Sequence, residues 1–98
     1  MSLHTAAEAA RTGRCLEIYY DGYTRIVEVH ACGYASDGRE IMRVWQVRGG
    51  SDGAEAIGWK LLRLDEVRGF VVRDEASYGP RGGYKRGDPA MDRIYFQL

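Results

Sequence analysis

Apolar and polar residues alternate in short runs along this chain, and glycine-containing turns cut the runs apart. Cys15-Leu16-Glu17-Ile18-Tyr19-Tyr20 reads as a strand. Asp21-Gly22 follows, a hairpin signal, because glycine accepts the positive φ that tight hairpin turns require. Thr24 to Gly33 continues with β-branched and aromatic residues. Asp37-Gly38 marks a second turn, and Arg39 to Arg48 a third strand. Three strands joined by tight turns make a meander. Gly49-Gly50-Ser51-Asp52-Gly53 is a loop by composition. Residues 56–64 read as a fourth strand, Asp65-Glu66-Val67 as a turn, and Phe70-Val71-Val72 as a short fifth strand.

The two ends of the chain follow a different period. Thr5-Ala6-Ala7-Glu8 fits a capping box, and Gly13 is a helix stop, so a helix is predicted over 5–12. That helix is too short to stand alone in water and must pack on something. Residues 76–87 form a Gly-rich loop. Asp88-Pro89 has the form of an N-cap and first helical position. Met91, Ile94, Tyr95 and Leu98 then fall on one helical stripe, which predicts a C-terminal helix; Ile94-Tyr95-Phe96 also admits a strand. The expectation is a mainly β protein: a small five-stranded barrel of the SH3 or Sm type, with a short helix at each end. One domain covers 1–98, with its core in 14–73 and the C-terminal loop and helix in 76–98.

Composition narrows the function. Apolar residues make up 45% of the 98, enough for one packed core. No apolar run approaches the length of a membrane span, and no signal-peptide pattern opens the chain. A cytoplasmic protein without a membrane role is expected. Lys plus Arg equals Asp plus Glu at 14 each, unlike a strongly basic nucleic-acid-coating protein. Only Lys60 and Lys85 of the basic set are Lys. The rest are Arg, whose planar fork suits carboxylates and phosphates, although genomic bias gives the same count. Cys15 and Cys32 fall out of register in the first hairpin and are expected to be free thiols. His4 and His30 lie far apart, so no metal site is expected, and no cofactor. There is no nucleophile elbow, and the 49–53 loop lacks the Gly-Lys-Ser/Thr ending of a nucleotide-binding loop. The chain is not expected to be an enzyme.

Several residues are candidates for binding. Glu28 and His30 lie two apart and share a strand face. If Asp37-Gly38 centres a two-residue turn, His30 lies across from Trp45. That pair is either a polar binding surface with an aromatic platform or a cross-strand pair that steadies the sheet. Arg43 shares its face with Ile41, Trp45 and Val47, which look core-facing, so it must reach the rim, pair, or bind a ligand. Gln46 lies on the opposite face, as a ligand contact or as an amide bonded to backbone. Trp59, Leu61 and Arg63 share one face of the fourth strand, and Lys60, Leu62 and Leu64 the other. Arg63 is placed to bind phosphate or to pair with Asp65 or Glu66. Arg81-Gly82-Gly83-Tyr84-Lys85-Arg86 mixes basic and aromatic residues, as a nucleic-acid clamp does and as a solvated loop also can.

From Leu16 to Val72 the chain resembles the WYL family of regulatory modules. The resemblance is carried by Tyr19-Tyr20, by Arg25-Ile26-Val27-Glu28-Val29-His30, and by Gly33-Tyr34 and Asp37-Gly38. The segment Gly58-Trp59-Lys60-Leu61-Leu62-Arg63-Leu64-Asp65-Glu66-Val67 completes it. A subgroup with an Arg-x-x-Gln strand is the most similar, here Arg43-Val44-Trp45-Gln46 followed by a Gly-Gly-Ser loop. Its tail matches Arg81-Gly82-Gly83-Tyr84 and Asp88-Pro89-Ala90-Met91. The name-giving Trp-Tyr-Leu triplet falls on Glu40-Ile41-Met42 and is absent. Val29 stands where the family often has Pro, and Glu66 where it often has Arg.

The resemblance implies an SH3- or Sm-like barrel that senses or binds nucleic acid, nucleotides or another anionic ligand. The function expected is a non-catalytic, ligand-sensing regulatory module. An anionic small molecule or single-stranded nucleic acid would be held by Arg43, Arg63 and Lys60, with Trp45, Trp59, His30 and Gln46 around it. The alternative is a protein–protein interaction or homodimerisation module built on apolar strand edges and the terminal helix.

Overall fold

The computed structural model describes residues 1–53 and 55–98. Helix α1 (Leu3–Arg11) is followed by strands β1 (Arg14–Tyr20), β2 (Tyr23–Tyr34), β3 (Glu40–Gly49) and β4 (Gly58–Arg63). A 3-10 turn at Leu64–Glu66 leads into β5 (Val67–Ala76), and β6 (Arg93–Gln97) closes the order. The antiparallel sheet runs β4-β3-β2-β1-β5, and β6 pairs with β2.

The first hairpin forms as its sequence predicts. Tyr20 pairs with Tyr23, leaving Asp21 (φ 50°) and Gly22 (φ 83°) as a two-residue turn with both φ positive. The helix starts earlier than expected: Ser2 is the N-cap, its hydroxyl accepting from the Thr5 amide at 3.1 Å. Leu3, Ala6, Ala7, Ala9 and Ala10 are buried on one side of α1. Their small side chains bring the helix close to a core of Leu16, Ile18, Val27, Val29, Met42, Val44, Leu62 and Leu64. Packing on this face replaces the stability that nine residues cannot supply alone.

Three expectations are corrected. The sheet is not a closed barrel, because β4 and β5 are its two ends and do not pair with each other. There is no C-terminal helix. Asp88 makes only a turn, in which its carboxylate accepts from the Ala90 amide and its carbonyl from the Met91 amide, and 93–97 then runs as a strand. As a strand the segment pairs with the second half of β2, whose edge a terminal helix would leave unpaired, and the apolar stripe gives way to it. The third correction is the β2–β3 turn, which spans five residues, since Tyr34 pairs with Glu40.

β2 is the organising strand. Its first half lies between β1 and β3, and its second half between β6 and β3. Gly33 sits where a Cβ would run into the Arg93 carbonyl, so β6 can approach only a glycine there. At the change of partner the register slips: Val29 pairs with Val44 but Ala31 pairs with Arg43, leaving His30 as an extra residue. This β-bulge turns His30 towards the face opposite α1.

Candidate functional site

The face opposite α1 carries Glu28 and His30 from β2, Ile41, Arg43 and Trp45 from β3, and Trp59, Leu61 and Arg63 from β4. Cross-strand partners share a face, and here Trp45 pairs with Trp59, Arg43 with Leu61 and Ile41 with Arg63. Met42, Val44 and Gln46 point the other way and are buried. The Arg43 side of β3 is therefore the outer face and not the core face that Val47, Trp45 and Ile41 suggested.

This outer face is covered by the chain itself. Residues 77–91 lie across it as a strap and are fixed at three places. At the first, Glu28 is almost wholly buried and receives both Arg81 Nε and Nη2, at 2.7 and 3.0 Å, and the Tyr78 amide at 2.7 Å. Burial pushes its carboxyl up, but the Arg81 guanidinium and the Tyr78 amide pull it down further, and it ends below the usual range. At the second, the Arg81 amide donates to His30 Nε2 at 3.0 Å, while Nδ1 lies 2.9 Å from the Glu28 carbonyl. An amide only donates and a carbonyl only accepts, so His30 is the neutral Nδ1–H tautomer. Burial pushes its pKa down, against the raising pull of Glu28. At the third, Arg43 grips Asp88 with Nε and Nη2, at 2.6 and 3.2 Å. That grip holds the Asp88 carboxyl below its ordinary value against the opposing effect of burial.

An aromatic cluster fills the space between these anchors. His30 meets Trp59 edge-on at 4.7 Å, Trp45 meets Trp59 at 5.3 Å, and Tyr84 lies 5.1 Å from His30. Arg81 sits over Trp45 and Tyr78. The Tyr84 hydroxyl lies 3.3 Å from the carbonyls of both His30 and Leu98. Beside the cluster is an open cleft of about 280 Å³, lined by Arg43, Trp59, Gly83, Tyr84, Lys85, Asp88 and Pro89.

Of the residues predicted for binding, Arg43 and Trp59 line this cleft, and Trp45 and His30 support it from beneath. His30 does not lie across from Trp45, because the bulge and the longer turn place Glu28 there. Gln46 is excluded from the site. It is buried on the α1 side, its amide donating to the Gly50 carbonyl and accepting from Arg25. Lys60 also projects from the α1 side, where its ammonium is held by the Glu55 carbonyl and the Ser51 hydroxyl. Arg63 shares the outer face but lines a second cleft, with Ala35, Asp37, Arg39, Ile41, Leu61 and Ala90. It lies near Asp65 and Glu66 at 3.7 and 3.6 Å, and its Nε is buried without a hydrogen-bond partner among the described residues.

Sequence reasoning missed that Tyr84, Lys85 and Asp88 belong to the cleft. The mixed basic and aromatic run at 81–86 was the available signal. Its fit against Glu28 and His30, more than fifty positions away, leaves no trace in local spacing.

Cys15 and Cys32 are both free and buried, and burial pushes each thiol up to about 11. Among the described residues no three His, Cys, Asp or Glu side chains are placed to hold a metal ion, and no helix is long and apolar enough to cross a membrane. No family model, curated protein or solved structure matches the chain.

Proposed function

We propose that this chain is a non-catalytic binding module of the WYL kind, taking a small anionic ligand with a planar ring in the Trp59–Tyr84 cleft. A nucleotide fits that description, free or as the end of a single strand. One observation carries the reading. Two aromatic rings, the Arg43 fork and the Lys85 ammonium converge on one open cleft, and the Arg43 fork already holds a carboxylate. Asp88 takes Nε and Nη2 of Arg43, and Nη1, which has no hydrogen-bond partner among the described residues, is left to donate to a phosphate oxygen. Lys85 is exposed and has no ion-pair partner among the described residues, so it is the cation left for a ligand. Trp59 and Tyr84 offer π-faces on which any base can stack.

The non-catalytic reading has its own support. His30, the one histidine near the cleft, has both ring nitrogens engaged and no lone pair left for proton transfer. Both thiols are buried and held protonated.

Titration calorimetry with nucleoside monophosphates and short single strands, at two salt concentrations, tests the proposal. Binding should weaken as salt rises, because the contact is largely ionic. Lys85→Ala should lower affinity about fivefold to tenfold while leaving the fold intact. No binding at about 1 mM ligand, or binding indifferent to salt and to Lys85→Ala, would sink it.

A further inference from the structure

β5 is a free sheet edge, and its chemistry is self-complementary. Among the described residues it pairs only with β1. Three successive apolar residues in its middle are exposed: Phe70 at 46%, Val71 at 57% and Val72 at 38%. Successive strand residues point to opposite faces, so both faces of this strand are bare as well as its edge. Phe70 and Val72 pair with Ile18 and Leu16, which are core residues, so they continue the core face beyond the area that is covered. β-bulges at Arg68 and between Val72 and Ala76 interrupt its pairing with β1, so the regular part of the edge is the apolar stretch from Gly69 to Val72, which carries no proline or lysine to block it.

The charges along β5 indicate what covers it. Arg68 stands near its start and Asp74 near its end, with the apolar residues between them. Place a second copy antiparallel with Val71 opposite Val71. Phe70 then lies opposite Val72, and the Arg68 end of each strand is brought to the Asp74 end of the other, each twice by symmetry. Arg68 is exposed and makes no ion pair among the described residues, and the Asp74 carboxylate is almost fully exposed although Arg14 touches one of its oxygens. A two-fold contact requires one patch to be complementary to itself, and this register meets the requirement.

We infer that β5 is a homodimerisation strand, pairing antiparallel with β5 of a second copy about a two-fold axis at Val71. The two sheets become one continuous sheet, with a cleft on each half.

Sedimentation velocity across a concentration series reads this directly. The wild-type chain should move to twice its 11.0 kDa mass as concentration rises. Arg68→Glu and Asp74→Arg should each raise the dimer Kd about tenfold, because each sets like charges opposite one another twice. Mixing the two single variants should restore a dimer, since every charged pair is then complementary. Val71→Lys places two ammonium groups on the axis and should also give monomer, with an unchanged near-ultraviolet spectrum to show that the exposed site tolerates it. A wild-type monomer, an assembly larger than two, or charge variants that do not rescue each other when mixed would overturn the proposal.

Discussion

β2 and β5 are the two long strands at opposite extremes of burial. Nine of the twelve residues of β2 are buried, and none of the ten in β5 is. The difference does not lie in apolar content, since β2 buries Arg25, Glu28 and His30 while β5 exposes Phe70, Val71 and Val72. It lies in how many layers reach each strand. α1 and the strap sandwich β2, and β1, β3 and β6 hold its edges. β5 has β1 alone. The polar residues of β2 are tolerated because each is matched by a partner that arrives from far along the chain. The apolar residues of β5 have no such partner among the described residues.

Breaking the match on β2 should have the largest effect. Arg81→Ala leaves the Glu28 carboxylate buried and without its counter-charge, and should lower the denaturation midpoint more than any other substitution named here. The strap should become open to proteolysis near 77–86 in the same variant. A loss below about 0.5 kcal/mol would mean that the pair is bystander chemistry.

Acid should loosen the same region more gently. The docked His30 has a pKa below its ordinary 6.5, so below pH 6.5 the undocked form binds more protons. Stability should therefore fall as pH drops from 6.5 towards the docked value, by no more than about 1.4 kcal/mol per pH unit. His30→Gln should flatten that slope. Glu28 and Asp88, whose values are lowered, contribute stability that is complete above their ordinary carboxylate values and lost as pH falls through the depressed ones. Hydrogen exchange of the Arg81 amide across pH checks both phases. The smallest effect belongs to β5: Val71→Thr should change monomer stability by less than about 0.5 kcal/mol, measured at a concentration where the chain is single.

Much of this fold is legible in the sequence because its signals are local. Asp21-Gly22 fixes the first hairpin, and the alternation around Met42 and Val44 marks a strand. The barrel expectation fails at closure, which depends on whether β4 and β5 meet, and no residue on either strand encodes that alone. The terminal helix fails because the spacing of Met91, Ile94, Tyr95 and Leu98 is helical while the free edge of β2 and its Gly33 favour a strand. The candidate site was half visible. Arg43, Trp45, Trp59 and His30 are on the right face, but the longer turn and the bulge at His30 together shift the partner of Trp45 on β2 by two residues, from His30 to Glu28. Lys60 and Gln46 were misplaced because alternation says which residues share a face without saying which face is covered. The partners of the site, Asp88 for Arg43 and Arg81 for Glu28, are 45 and 53 positions away.

The edge-on tryptophan pair has a consequence for observing the molecule. Trp45 and Trp59 are the only tryptophans in the chain, and both lie under the strap. Indole emission from this protein is therefore a report from one place. Strap release, protonation of the imidazole that abuts Trp59, and a base stacking in the cleft all change the surroundings of that pair. The β5 edge carries no indole, so its pairing is optically silent. The two halves of the molecule's behaviour can be followed separately in one unlabelled sample, by its colour of emission and by its mass.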